Sequence, residues 1–158
     1  MSLAAARTWW LTGLSGAGKT TLARSLATAL RGRQQPVCVI DGDELRSGLC
    51  QDLGFDAASR AENVRRAAHM ARLLNDNGVH AVVALISPDT DARALAYTTI
   101  GRGRCVEVHV NTPLAVCEQR DPKGLYARAR AAQLAHMTCV QAPYDPPEQP
   151  ALRIDTSI

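Results

Sequence analysis

Trp9-Trp10-Leu11-Thr12 runs directly into Gly13-Leu14-Ser15-Gly16-Ala17-Gly18-Lys19-Thr20, and a helix-compatible stretch from Thr21 to Leu30 follows. The octad satisfies every position of the phosphate-binding loop, in the strand, glycine loop and helix order that the motif requires. Glycines let backbone N–H groups wrap a polyphosphate. Lys19 can reach its outer phosphates, and the Thr20 hydroxyl can ligand Mg²⁺. In the wrong context such a match would be only a flexible glycine loop. Here the ligand implied is a nucleoside triphosphate, held by Gly13, Leu14, Ser15, Gly16, Ala17, Gly18, Lys19, Thr20 and Thr21.

Outward from this stretch, strand and helix patterns alternate without a linker or repeat. Val37-Cys38-Val39-Ile40 and Ala81-Val82-Val83-Ala84-Leu85-Ile86 are apolar runs suited to buried parallel strands. Cys105 to Val110 reads as a further strand, and Leu152-Arg153-Ile154 as a short last one. Ser59 and Glu62 have capping-box spacing before a periodic stretch from Ala61 to Leu74, with Asn75, Asn77 and Gly78 as its stop. Asp91 to Ile100 suits a shorter helix. Thr112 reads as a cap with Pro113 at the first helical position, opening a helix to about Arg120. Asp121-Pro122-Lys123-Gly124 interrupts it, and Tyr126 to Leu134 resumes helical form. The class is α/β: a parallel sheet with helices on both faces.

Composition narrows the function. A chain of 158 residues with 46% hydrophobic content supports one domain with a sizeable core. No apolar run approaches ~20 residues, so no membrane span is expected. Met1 to Ala6 is too short and weakly apolar for a secretory signal, which makes the cytoplasm the expected location. The net charge of +3 comes almost wholly from arginine, with Lys19 and Lys123 the only lysines. It forms no basic tail, so an anionic small molecule is expected rather than nucleic acid. The five cysteines contain no Cys-x-x-Cys pair, and Cys38 and Cys105 read as buried thiols in strands. The four histidines show no ligand spacing.

In such sheets ligands bind beyond the carboxyl ends of the strands, where Thr12, Asp41, Ser87 and Asn111 fall. Asp41-Gly42-Asp43 places two carboxylates there. Asp41, nearer the strand, suits Mg²⁺; Asp43 suits an attacking hydroxyl, as catalytic proton acceptor. A polar turn with a helix-capping aspartate is the plainer reading. Arg46, Arg60 and Asn63 offer donors for a second, anionic ligand, or form a solvated face. Phe55, the only phenylalanine, is either core packing or a platform for a base.

These segments together resemble the adenylylsulfate kinase (APS kinase) family of P-loop kinases. The similarity is carried by Gly13 to Thr20, Asp41 to Arg46, Asp52 to Phe55, Arg60 to Arg66, Ile86-Ser87-Pro88, Pro113-Leu114, Cys117 to Tyr126, and Pro143-Tyr144 through Asp155-Thr156. The resemblance implies transfer of the ATP γ-phosphoryl to the ribose 3′-hydroxyl of adenosine 5′-phosphosulfate. It implies that Asp43 receives the hydroxyl proton, and that Arg46, Arg60 and Asn63 hold the acceptor while Phe55 stacks on its adenine. It further implies that Ser87 is a catalytic and substrate-binding residue at the reaction crevice, that Lys123 belongs to a mobile lid near both nucleotides, and that Arg120 lies beside the ATP base. Similar proteins form homodimers, and association with a sulfate-activating enzyme is a further expectation.

The chain departs from the family pattern around the acceptor. Met137-Thr138-Cys139-Val140 stands where Phe-Thr-Gly-Ile is usual, so the adenine sandwich is expected to be weaker or differently shaped. Asp89 and Thr90 replace an aromatic residue and an arginine, and Tyr97 replaces a later arginine. Attraction for a phosphosulfate should fall. The usual C-terminal helix is missing from the expected 1–158 domain. Two alternatives stand beside the first reading: a kinase for the ribose hydroxyl of a different nucleotide-linked substrate, and a weakly active ATP-binding partner subunit.

Overall fold

Eleven elements alternate along the computed structural model, which describes residues 5–157. They are β1 (Thr8–Thr12), α1 (Lys19–Gly32), β2 (Val37–Asp41), α2 (Gly42–Arg46), α3 (Ala57–Asp76) and β3 (His80–Ala84). Then follow α4 (Thr90–Ile100), β4 (Cys105–Val110), α5 (Leu114–Arg120), α6 (Leu125–Arg130) and β5 (Leu152–Ile154). The first four residues of the Met1 to Ala6 stretch and Ile158 lie outside the described residues. No described helix is long and apolar enough to cross a membrane.

All the strands pair in parallel, in the order β2-β3-β1-β4-β5. Trp10 lies opposite Val83 on one side and Glu107 on the other. β3 is buried at every position, as an unbroken apolar run covered on both faces should be. Successive side chains of a strand point to opposite faces, and the core divides accordingly. Trp10, Ile40, Ala81 and Val83 meet Val64, Ala67, Ala68 and Ala71 of α3, with Ala96 and Ile100 of α4. Leu11, Val82, Ala84, Val108 and Val110 meet Ala23 of α1, Cys117 of α5, and Tyr126 and Ala129 of α6. Ala67, Ala68 and Ala71 of α3 are fully buried, which lets that face of the helix lie close on the sheet. The chain crosses from one side of β1 to the other between β3 and β4, so a crevice opens beyond the carboxyl ends of β1, β2 and β3.

Helix ends are where local spacing misleads. α3 starts at Ala57 rather than Ala61, because Asp56 caps it by accepting from Ser59 N at 2.9 Å. The Ser59 hydroxyl donates back to Asp56 Oδ2, and Glu62 is drawn instead to Arg65 and Arg66 at 2.7–3.0 Å. Those two guanidinium groups pull the Glu62 carboxyl down to about 2. α4 is capped by Asp89, whose carboxylate accepts from Ala92 N at 2.8 Å. Thr112 does not cap α5; Pro113 occupies that position with an extended backbone, and the Thr112 hydroxyl turns to Ala17 O at 3.1 Å. α6 ends at Arg130 rather than Leu134, and Ala132 beyond it takes a positive φ of 58°. Cys38 and Cys105 are only half-buried, whereas Cys50 and Cys117 are the buried thiols.

Candidate active site

The loop between β1 and α1 has the backbone geometry its glycines allow. A Cβ on Gly13 would lie 2.4 Å from Val110 O, and one on Gly16, where φ is +79°, would lie 2.9 Å from Cys117 O. No side chain can stand at either position without moving backbone. The loop is tied from outside: the Tyr126 hydroxyl donates to Ser15 O at 2.8 Å, and Arg120 Nη1 donates to Gly16 O at 3.2 Å.

α1 begins differently from its neighbours. Aspartates cap α2, α3 and α4, whereas α1 has Gly18 at its cap, no side-chain bond there and no acid in its first turn. Its first N–H groups, with the positive end of the helix dipole, are left for an external anion.

Lys19 is 9% exposed and donates through Nζ to Leu14 O at 2.7 Å. Burial, helped by the Lys123 charge, brings its pKa down to about 8, against the pull of Asp41 and Asp43. Thr20 Oγ1 lies 2.7 Å from Asp41 Oδ2, while Asp41 Oδ1 accepts from Asp43 N at 3.0 Å. Asp41 therefore both starts α2 and presents a carboxylate oxygen beside a hydroxyl. Among the described residues no group of three or more His, Cys, Asp and Glu could cage a metal. A hydroxyl beside one carboxylate is a sparse, hard-oxygen donor set. It suits Mg²⁺, which keeps waters and takes its remaining ligands from phosphate.

Across the crevice, Arg46 lies 4.1 Å above the Phe55 ring and donates to Gly54 O at 2.9 Å. Arg60 donates from Nε to Phe55 O at 2.8 Å and from Nη2 to His136 O at 2.6 Å. Phe55 is not core packing, since 49% of its surface is exposed. Burial lowers both guanidinium pKa values, and Arg46 adds to the effect at Arg60. Asn63 is 6% exposed, yet its Oδ1 has no hydrogen-bond partner. A buried amide oxygen facing a cavity is costly unless something binds there.

A cavity of about 770 Å³ joins these groups, within the range of small-molecule sites. Its lining includes Ser15, Gly16, Gly18, Lys19, Thr20 and Thr21 on one side, Arg46, Phe55, Arg60 and Asn63 on the other, and Asp41 and Asp43 as well. Ser87, Arg120, Lys123 and Met137, also expected from the sequence, line it too. Gly13, Leu14 and Ala17 do not line it; they are buried in the turn that shapes the loop. Asp89 and Thr90 also lie off the lining, so the Asp89 charge serves α4 rather than the cavity wall.

Ser87 is 3% exposed, and φ there is +44°. Its hydroxyl accepts from Trp10 Nε1 at 3.0 Å and donates to Leu85 O at 3.2 Å. Arg93, 2% exposed, anchors the same turn by donating to Ser87 O at 2.7 Å and to Asp145 O at 2.6 Å. Arg93 thus supports the crevice wall from inside. Cys139 takes a φ of +66°, a left-handed conformation that a glycine would adopt freely. Sequence reasoning gave no site role to Trp10, Tyr126 or Arg93. Trp10 and Tyr126 act on partners distant in the chain, and Arg93 joins the nearby Ser87 to the distant Asp145.

The sequence model of adenylylsulphate kinase matches residues 5–155. The chain belongs to the adenylylsulphate kinase family. It is 48% identical, over 145 residues, to adenylyl-sulfate kinase of Aeromonas hydrophila subsp. hydrophila, covering 92% of this chain and 74% of that one. Among solved structures it is similar to Mycobacterium tuberculosis APS kinase CysC in complex with AMPPNP and APS, with a TM-score of 0.93 and 45% identity, covering 96% and 89% of the two chains. The hexameric APS kinase from Thiobacillus denitrificans matches with a TM-score of 0.71 and 34% identity, over 96% of this chain and 25% of that one. The chain is a P-loop phosphotransferase with its family's activity, ATP-dependent phosphorylation of adenylylsulphate.

Proposed function

We propose that the chain aligns ATP and adenosine 5′-phosphosulfate in this cavity, with Asp43 at the acceptor 3′-hydroxyl. The carrying observation is that the phosphate-binding loop, Asp43 and the Arg46–Phe55–Arg60–Asn63 wall line a single space. The open amides of α1 and Lys19 hold the ATP phosphates. Thr20 and Asp41 hold Mg²⁺, which supplies charge neutralisation at the phosphates when bound. Arg46 and Arg60 meet the phosphosulfate nucleotide, Asn63 supplies its free amide oxygen, and Phe55 and Met137 flank the base.

The acceptor oxygen forms a bond to the γ-phosphorus as the bond to the β-bridging oxygen breaks. ADP leaves, and the hydroxyl proton passes to an Asp43 oxygen. Lys19 and the loop N–H groups stabilise the charge that develops on the transferring group. Ser87 contributes as a shaped wall rather than a proton carrier, because its hydroxyl is already bonded on both sides. The Lys123 segment closes over both ligands and keeps water from competing, with Arg120 at its root beside the ATP base. We place this kinase domain in the cytoplasm, acting as a homodimer or beside a sulfate-activating partner.

ADP release with Mg²⁺-ATP, measured across adenosine 5′-phosphosulfate and a panel of other nucleotides, tests the reading. Product analysis should locate new phosphate on the 3′-oxygen. Preferred turnover of another acceptor would overturn the substrate assignment, and ATP binding without acceptor-dependent ADP release would overturn the enzymatic one.

A further inference from the structure

Thr156 follows β5 and has no part in the chemistry above, yet its side chain is seated beneath the phosphate-binding loop. Its hydroxyl donates to Ala17 O at 2.5 Å and accepts from Arg120 Nη1 at 2.8 Å. Thr112 Oγ1 lies 2.7 Å away and itself accepts from Thr156 N at 3.0 Å. Arg120 also donates to the Thr156 carbonyl and, at 3.2 Å, to Gly16 O. The Thr156 side chain further fills the space a Gly18 side chain would need, with atoms 3.1–3.4 Å from that position. A hydroxyl has one proton and two lone pairs; here the Thr156 proton goes to Ala17 O and a lone pair takes the Arg120 N–H. A methyl group in its place could neither accept from Arg120 nor donate to the loop.

We propose that Thr156 is a positioning residue for ATP. It holds the Ala17–Gly18 peptide so that the first N–H groups of α1 face the phosphates, and it couples that peptide to Arg120 at the root of the Lys123 segment. The inference rests on the loop being the ATP site. Ala17 O and Gly16 O are the handles, and both belong to the turn whose amides meet phosphate. Preorganised donors lose affinity when their support is removed, even if no ligand contact is deleted.

The test compares Thr156→Val, which keeps the branched shape, with Thr156→Ser, which keeps the hydroxyl. ATP affinity by calorimetry, KM for each substrate and thermal unfolding are measured on the full chain. Thr156→Val should raise the ATP Kd and KM about tenfold, the loss expected for a hydrogen-bonded support, while the KM for adenosine 5′-phosphosulfate at saturating ATP stays within about twofold. Thr156→Ser should restore ATP binding to within about threefold of the parent protein. Thr156→Ala carries the same measurement if the valine variant does not fold. Unchanged ATP affinity in the valine variant, equal impairment of the valine and serine variants, or a fall in melting temperature with ATP KM unmoved would each overturn the proposal. Failure of the parent protein to bind ATP would overturn the site reading instead.

Discussion

Lys123 Nζ lies 2.6 Å from Asp43 Oδ2, so the segment between α5 and α6 touches the carboxylate that follows β2. The two side chains are 50% and 67% exposed. A pair so exposed contributes little to stability, so an incoming acceptor can displace it readily. Its significance is positional. The contact puts a cation beside the carboxylate proposed to receive the acceptor's proton.

Lys123→Met should therefore act on the reaction more than on the fold. We expect kcat/KM for the kinase reaction to fall about tenfold or more, from loss of one stabilising cation and weaker closure. Acceptor-independent ATP hydrolysis should rise as a share of total ADP release. Parallel assays with and without adenosine 5′-phosphosulfate measure that share, and a share no greater than in the parent protein contradicts the closing role.

Asp43→Asn keeps the size and removes the proton acceptor. Turnover should drop by about 10²–10⁴-fold, the usual contribution of a positioned general base. ATP binding should be nearly unchanged, since the loop and α1 are untouched. Single-turnover kinetics and nucleotide titration separate the two effects. Near-normal turnover would remove Asp43 from the proton path.

Lys19 makes a pH prediction whose sign can be worked out. Its pKa is about 8 in the folded chain against an ordinary 10.5. Between those values the unfolded chain holds the proton and the folded chain does not, so this group's share of stability rises with pH across that window. ATP phosphates favour the charged form, so binding must draw a proton onto Lys19 there. ATP affinity should fall as pH rises above about 8, with proton uptake visible in calorimetry in buffers of different ionisation enthalpy. Lys123, Asp41, Asp43 and Cys117 are the charged or titratable groups acting on it. Lys19→Arg, charged throughout, should flatten the dependence; an equally steep profile in that variant would assign the effect elsewhere.

Gly13→Ala tests the loop's backbone. The added Cβ would sit 2.4 Å from Val110 O, and both partners are backbone held in adjoining strand ends. Relief requires moving β1 or β4, at a cost of roughly 2 kcal/mol or more. Urea unfolding should show a lower midpoint with unchanged slope. A midpoint equal to that of the parent chain would mean that the loop yields more easily than its packing indicates.

Much of the site was legible before the fold was known. Gly13 to Thr20 is readable because a phosphate cradle depends on residue types at fixed local spacing. Val37 to Ile40 and Ala81 to Ala84 announce themselves because a strand covered on both faces must be apolar throughout. Helix starts were less legible: Ser59 and Glu62 fit a capping pattern, but Asp56 competes for the same amide and wins as a carboxylate at a helix N-terminus. Phe55 could be core or platform until its exposure was known.

The residues alone therefore determined the phosphate loop, the alternation of strand and helix and the acidic pair at Asp41 and Asp43, because each follows from local geometry and period. Only the tertiary structure decided that Thr156 lies under Ala17, that Lys123 meets Asp43 and that the Ser87 hydroxyl is engaged by Trp10. Those contacts join segments far apart in sequence, and packing, rather than any local preference, brings them within bonding distance.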